Sequence, residues 1–416
     1  MSLHAPVVIV GSGQAGGRAA EALRQGGHVG RITLIGDEPH APYERPSLSK
    51  EFLGSAAVER LAWVRPSAWY AEAGVTWLPG RKAVAVDPSR ALVELDEGSR
   101  IEYQSLILTT GARPRPLVIA GADHPVVSCL RTIEDSEGLQ RRLLSGASVV
   151  VIGAGFIGME VAATAVARGC AVTVLELTDL PMARAIPAPL GAFYADFHRG
   201  KGVDLRLATG VRRITDEQGR ALVHTDSGDA ILADAVVVGI GVVPNVELAE
   251  AAGLEVDNGI VVDEYGRTRN SQIYAAGDVT SHYSSLLGRH VRLESWQNAQ
   301  NQAIAVARNI LGAARPYAEV PWFWSDQYEL NLQIAGIAQP GDEIVVRGCV
   351  GADPVMCFHL REGRLAAVSG INSARDVRFG KEIIAMGGSP SRTDLADPAV
   401  TLASLYADAK RSARAA

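Results

Sequence analysis

Gly11-x-Gly13-x-x-Gly16 and Gly153-x-Gly155-x-x-Gly158 each follow a short apolar run and open an alanine-rich one. Glycines at this spacing suit the holding of a pyrophosphate. The first permits a tight turn, the second lets the phosphates approach the backbone, and the third lets a helix pack close to a strand. The phosphate charge then rests on the free N–H groups of the helix N-terminus. Acidic residues stand where such a site needs them. "RITLIGDE" ends in Asp37 and Glu38, and "AVTVLE" ends in Glu176. A carboxylate at the end of the second strand accepts hydrogen bonds from ribose hydroxyls.

The elements that must position these residues read as strand, turn, helix and strand, twice over. "PVVIV" and "ASVVVI" are continuous apolar runs of the kind found in parallel sheets covered on both faces. One glycine pattern alone is weak evidence, but two complete βαβ units well over a hundred residues apart predict two dinucleotide sites. Three further segments read as strand ends running into loops: "SLILTTGARPRP" with Gly111, "ADAVVVGIGVVPN" with Gly239 and Gly241, and "SQIYAAGDVTS" with Gly277 and Asp278. Ligands of open parallel sheets bind outside the carboxyl ends of strands, so these loops are expected to line the sites.

The chain has 416 residues, enough for two or three domains, and is 47% hydrophobic with 43 glycines. Its formal charge of −6 makes no bulk case for nucleic acid or an anionic membrane. No apolar run reaches the roughly 20 residues of a membrane span. The start, "MSLHAPVVIVGSG", lacks a basic region and does not read as a signal peptide. Cys129, Cys170, Cys349 and Cys357 form no CxxC pair and no metal cluster, which suits buried thiols in the cytoplasm.

The ordered series of glycine patterns, "TTGARP", "VVVGIG" and "AAGDV" resembles the two-dinucleotide flavoprotein fold of the glutathione reductase superfamily. Four narrower stretches, "YERPSLSKEFL", "LRTIEDSEGL", "ESWQNAQNQA" and "VPWFWSDQYELNLQIAG", are similar to the NADH-dependent ferredoxin reductases that feed bacterial Rieske-type dioxygenases and haem monooxygenases. The likeness covers about residues 5–405. Ser47 departs from it, since a second proline is frequent there, and a local backbone effect is expected. The resemblance implies an α/β protein with two Rossmann-like domains, one for FAD (1–112 and 246–320) and one for NADH (113–245). It also implies a C-terminal α+β domain (321–416) that covers the flavin and helps dock the acceptor. That last boundary has its own support, because after "GAARPYAEVP" the glycine patterns give way to alternating strands.

For FAD, the resemblance implies contacts from Gly11, Gly13, Ala15, Gly16, Asp37, Arg45, Lys50, Ala83, Gly111, Arg131, Gly277, Asp278 and Trp296. For NAD it implies Gly153, Gly155, Ile157, Gly158, Glu160, Glu176, Arg184, Gly239 and Gly241. Several have a second reading. Asp278 would hold the ribityl chain, or cap a helix. Trp296 would lie beside the isoalloxazine at the start of a helix, or fill a core. Glu160, placed in the first turn of its helix, would favour the helix dipole in any case. The resemblance instead pairs it with Lys50 near flavin N5, as the catalytic residues. Glu176 next to a 2′-phosphate would meet like-charge repulsion, which favours NADH. Arg184 is expected near the pyrophosphate, although it would also suit a 2′-phosphate. Trp322 and Trp324 share one face of a strand, in a core or between flavin and acceptor.

In disulfide-type relatives, the segment after the first nucleotide unit holds a redox cysteine or cysteine pair. Here it reads Ser47-Leu48-Ser49-Lys50. With no thiol to take electrons, reduced flavin must discharge directly to a docked carrier, and flavin can release electrons singly. The resemblance implies a small [2Fe–2S] ferredoxin as partner and an oxygenase served indirectly. Such ferredoxins are acidic, so the docking face is expected to be basic, with Arg65, Arg292 and Lys381 as candidates by position or as plain solvated charges. A rubredoxin reductase or NADH oxidase of the same fold is the alternative. An interaction flavoprotein of the apoptosis-inducing-factor kind is more remote, because it relies on a basic surface to bind DNA.

Overall fold

The computed structural model describes residues 3–55, 61–348 and 355–415. The chain divides into two compact units. The first is Met1–Arg45, Leu61–Arg113 and Val242–Pro321; the second is Pro46–Arg60, Pro114–Gly241 and Trp322–Ala416.

The first unit is built on a five-stranded sheet in the order Ile273–Ala275, Ser105–Leu108, Val7–Val10, Ile32–Gly36, Val75–Pro79. Every pairing in it is parallel. Val7–Val10 is buried along its whole length, which explains a run with no polar alternation. Its residues alternate between two apolar layers. Val7 and Ile9 pack with Ala19, Leu23, Ala303, Val306 and Ile310 of helices Gln14–Gln25 and Trp296–Ile310. Val8 and Val10 pack with Val86, Val93 and Leu95 of an antiparallel meander, Ala83–Asp87, Leu92–Leu95 and Arg100–Glu102.

The second unit repeats this design. Its parallel sheet runs Asp204–Arg206, Ala171–Leu175, Ser148–Ile152, Ala235–Val238, Val127–Ser128. Val149 and Val151 face Met159, Ala162 and Ala165 of helix Phe156–Ala167. Val150 and Ile152 face Ile214, Val223 and Ala233 of a second antiparallel meander. The unit also holds a five-stranded antiparallel sheet, Trp322–Gln327, Leu330–Gly336, Arg364–Ile371, Val355–Arg361, Glu343–Arg347. Helix Ala374–Ala385 packs on it.

The segment from Pro46 belongs to the second unit, although it follows the first glycine pattern in sequence. Its backbone explains why. Thr164 donates to the Ser49 carbonyl (2.8 Å), Ser136 to that of Leu48 (2.8 Å) and Arg168 to that of Gly54 (2.8 Å), while Leu53 is buried among the residues of helix Phe156–Ala167. Among the described residues, no helix is long and apolar enough to cross a membrane.

Arg24 closes the C-terminal end of helix Gln14–Gln25. Its guanidinium donates to the carbonyls of Ala73 (2.8 Å), His28 (2.7 Å), Gly30 (2.8 Å) and Gly74 (2.8 Å). Arg24→Met leaves these carbonyls without their charged donor and is expected to cost about 2–3 kcal/mol in chemical denaturation. Unchanged stability would remove Arg24 from the determinants of the fold.

Candidate functional site

The first glycine turn is tight at both ends and open in the middle. Gly11 has φ +108°, and a Cβ there would fall 2.2 Å from the Thr109 carbonyl oxygen. A Cβ on Gly16 would lie 1.9 Å from the oxygen of Gly11. Gly13, by contrast, has nothing nearer than a guanidinium nitrogen of Arg45 at 4.0 Å, and it caps helix Gln14–Gln25 with no side-chain hydrogen bond. The result is a cradle of backbone N–H groups that a methyl group would fill, which fits a pyrophosphate. Arg45 above it bonds Glu38 (2.6 Å) and the Tyr43 hydroxyl (2.9 Å), and Tyr43 bonds Glu38 (2.6 Å). Burial works against the Arg45 charge, but Tyr43, Glu38 and Asp278 together raise its pKa above the usual arginine value. A fixed cation over a phosphate cradle results.

Asp37 stands exposed just beyond strand Ile32–Gly36, free of the cluster that occupies Glu38. Gly277 has φ +86°, and a Cβ there would lie 3.1 Å from the Cβ of Ala15 in the first helical turn. Its N–H donates to Gln302 (2.8 Å). Asp278 then leads into strand Thr280–Ser284, so it caps no helix, and that alternative falls away. Trp296 does open a helix; Ser295 caps it, and the Trp296 carbonyl accepts from Gln14 (3.1 Å). Its half-buried ring is not a closed core residue. Ala83 is buried at the start of its strand, and Gly111 sits at φ +65° past strand Ser105–Leu108.

The second turn has the same geometry. Gly153 lies at φ +101° with its would-be Cβ 2.5 Å from the Gly239 oxygen, and that of Gly158 is 2.1 Å from the Gly153 oxygen. Gly155 meets nothing closer than 3.8 Å and is an uncapped helix start. Gly239 is thus brought to the turn, and Gly241 follows at φ +105°. Glu176 is aimed at this turn by its own backbone contacts. It accepts from the N–H of Ala154 (2.6 Å) and from the N–H and hydroxyl of Thr178 (2.9 and 3.0 Å). Ile157 presents an apolar side chain, 45% exposed, on the first helical turn, and Arg184 is exposed in the loop before helix Ala188–Gly200.

Lys50 and Glu160 meet within the second unit. Lys50 Nζ lies 3.1 Å from Glu160 Oε2, and their side chains are 12% and 3% exposed. Glu160 also accepts from the Ser49 hydroxyl and from the Ser325 hydroxyl (2.7 Å). Lys50 donates in addition to the Pro46 carbonyl (3.1 Å) and stands 5.9 Å from the centre of the Trp324 ring. Burial raises the Glu160 pKa, opposed by Lys50, Ser49 and Ser325. Glu160 is the fifth residue of its helix rather than a first-turn residue, so the dipole, which fades within one turn, explains it less well than the lysine. The arrangement places one ammonium in a nearly dry position and anchors it there.

Among the described residues, thiol chemistry has no equivalent group. Burial, together with Asp135, raises the pKa of Cys129; burial also raises that of Cys170, and it pushes Cys357 up to about 12. Reactive cysteines need the opposite shift. Cys349 lies outside the described residues.

Trp322 and Trp324 stack at 5.2 Å with planes 19° apart, and both are half-buried. Arg131 precedes helix Ile133–Gln140, its N–H held by the Asp135 carboxylate that closes the capping box with Thr132. Arg65 pairs with Glu21, and Arg292, with a side chain only 13% exposed, pairs with Glu294. Lys381 is half-buried on helix Ala374–Ala385. Reading by residue type missed Gln302, Ser325, Gln327 and Tyr43. Their only signal was their place inside the quoted motifs.

The two kinds of glycine give a separable test. Gly158→Ala is expected to destabilise the second unit, because its Cβ has no room. Gly155→Ala should fold with near-native stability yet lose dinucleotide affinity about tenfold or more, about 1.4 kcal/mol. Isothermal titration alongside thermal denaturation separates the two; equal affinity for Gly155→Ala and wild type would contradict the cradle.

Residues 5–303 match the family model described as pyridine nucleotide-disulphide oxidoreductase, and residues 322–406 match the reductase C-terminal model. Over 402 residues the chain is 45% identical to the ferredoxin–NAD(+) reductase component of the anthranilate 1,2-dioxygenase system of Burkholderia cepacia, covering 95% of this chain and 98% of that one. It is 38% identical over 416 residues to putidaredoxin reductase of Pseudomonas putida, covering 99% of each. The crystal structure of the covalent putidaredoxin reductase–putidaredoxin complex superposes with a TM-score of 0.95 at 38% identity, over 98% of this chain and 99% of that one. Relatives of this kind use FAD and NAD(H), in keeping with two open glycine cradles in one chain. The chain belongs to the pyridine nucleotide-disulphide oxidoreductase family and carries that family's reductase C-terminal domain.

Proposed function

We infer that this protein is an FAD-containing NADH:ferredoxin reductase, which takes hydride from NADH and passes electrons one at a time to a [2Fe–2S] ferredoxin serving an oxygenase. The observation that carries this is the buried Lys50–Glu160 pair in a chain whose described cysteines are all held protonated by burial. A cysteine-dependent oxidase would need an activated thiol, and the Ser47–Ser49 segment supplies hydroxyls only.

FAD is assigned to the first cradle. Gly11, Gly13, Ala15 and Gly16 admit its pyrophosphate, with Arg45 as a fixed cation beside it and Asp37 for ribose. Ala83, Gly111, Arg131, Gly277, Asp278 and Trp296 are assigned to the rest of the cofactor. NADH is assigned to the second cradle, with Gly153, Gly155 and Gly158 at the pyrophosphate, Glu176 at the adenosine ribose, and Ile157, Arg184, Gly239 and Gly241 around it. Bound FAD would supply the chemistry that accepts one hydride, carrying two electrons, and releases those electrons singly. Lys50 offers positive charge where negative charge builds, and Glu160 holds its ammonium in place. A cytoplasmic location suits the free thiols Cys129, Cys170 and Cys357.

The direct test is NADH oxidation coupled to cytochrome c, with and without a [2Fe–2S] ferredoxin. Turnover that ferredoxin does not stimulate would overturn the reading. Two further outcomes follow from the residues. Lys50→Met is expected to slow flavin reduction by NADH about tenfold or more, about 1.4 kcal/mol in stopped flow; an unchanged rate removes Lys50 from the chemistry. Glu176 is expected to favour NADH over NADPH by tens-fold in kcat/KM, in line with about 2 kcal/mol for a hydrogen bond to a charged group. Equal values for the two nucleotides would count against it.

A further inference from the structure

Strand Trp322–Gln327 carries two indoles on one face and two buried polar side chains on the other. Ser325 and Gln327 are both fully buried. Polar groups in such a place are costly unless bonded, and these are bonded in a line. His198 Nε2 lies 2.9 Å from Gln327 Oε1, Gln327 Nε2 donates to the Ser325 hydroxyl at 3.0 Å, and that hydroxyl donates to Glu160 Oε1 at 2.7 Å. Donor and acceptor chemistry orients every link. An amide oxygen only accepts, so His198 donates from Nε2; an amide nitrogen only donates, so Ser325 accepts there and must turn its O–H toward the carboxylate. His198, at 0% exposure on helix Ala188–Gly200, has its pKa lowered by burial and is neutral.

We propose that Ser325 and Gln327, anchored by His198, are positioning residues for Lys50. Their aligned donors keep Glu160 ionised, and an ionised Glu160 keeps the ammonium in place. The proposal rests on the reading that Lys50 acts in hydride transfer. The two carboxylate oxygens are treated differently. Oε2 receives Lys50 and Ser49, while among the described residues the bonded donor on Oε1 is Ser325. Among the described residues, Lys50 is the charged group that faces Glu160. The other charges on elements packed against its helix are turned elsewhere: Glu51 is exposed, and Asp326 accepts from Trp324 (3.0 Å) and Asn331 (2.6 Å). Without the Ser325 donor, one oxygen of a desolvated carboxylate is left bare, and the neutral acid gains. A neutral Glu160 no longer holds Lys50 by charge.

The test uses the FAD-loaded, oxidised enzyme. The infrared band of protonated Glu160, identified by its loss in Glu160→Gln, is titrated against pH in wild type, Ser325→Ala, Ser325→Thr and Gln327→Leu. The pH profile of flavin reduction by NADH is measured beside it. In Ser325→Ala the midpoint should rise by about one to two pH units, as expected for loss of a hydrogen bond to a charged group. Ser325→Thr, which keeps the hydroxyl on a strand, should restore it, and Gln327→Leu should shift it in the same direction by less. A Ser325→Ala titration that coincides with wild type, or a threonine variant that behaves like the alanine one, overturns the proposal. If Lys50→Met instead reduces at the wild-type rate, the reading of Lys50 fails, while the infrared titration still decides whether Ser325 governs Glu160.

Discussion

Glu160 is a carboxylate with 3% of its side chain exposed, and a charge so placed must be neutralised and hydrogen-bonded or give way to the neutral acid. Much of the second unit is arranged to meet that demand. The segment Pro46–Ser55 leaves the first unit's sequence to bring Lys50 and Ser49 to Oε2, and the strand entering the C-terminal sheet brings Ser325 to Oε1. The glycine-patterned helix that carries Glu160 is in turn fastened to both. Thr164 bonds the Ser49 carbonyl, and Phe156 packs against Phe323 with ring centres 4.4 Å apart. Three remote pieces of chain are thereby fixed by one carboxylate.

The same sheet plan serves both units for a plain reason. A parallel strand buried on both faces needs an apolar layer above and below. In each unit a small-residue helix supplies one layer and an antiparallel meander the other. Glycines at the strand end then bring the helix so near that the turn's outer backbone is left bare. Openness at Gly13 and Gly155 is a by-product of crowding at Gly11, Gly16, Gly153 and Gly158.

Much of this was legible in the residues. The glycine spacings and the apolar strands mark both nucleotide units without a partner, because their demands are local. The acids at Asp37 and Glu176 follow from strand ends. What could not be read was whatever depends on distant segments meeting. Nothing near Asp278 in sequence says that a strand rather than a helix follows it. Nothing near Ser325 or His198 says that they are joined through Gln327, since 129 positions separate His198 from that glutamine. The Glu38–Tyr43–Arg45 cluster lies within eight residues, yet its closing depends on a turn that residue type does not specify. Arg292 shows the converse: position suggested a solvent-facing cation, and the fold spends it on its neighbour Glu294.

The two-faced strand Trp322–Gln327 limits how this protein can change in length. Side chains in a strand alternate with a period of two, so one inserted or deleted residue there would exchange the faces. An indole would be pushed against the Glu160 carboxylate and a serine turned outward. Within these six positions a replacement keeps the alternation of faces, whereas a change of length does not. The short strand is a reading frame that drift cannot shift without undoing the ion pair beneath it.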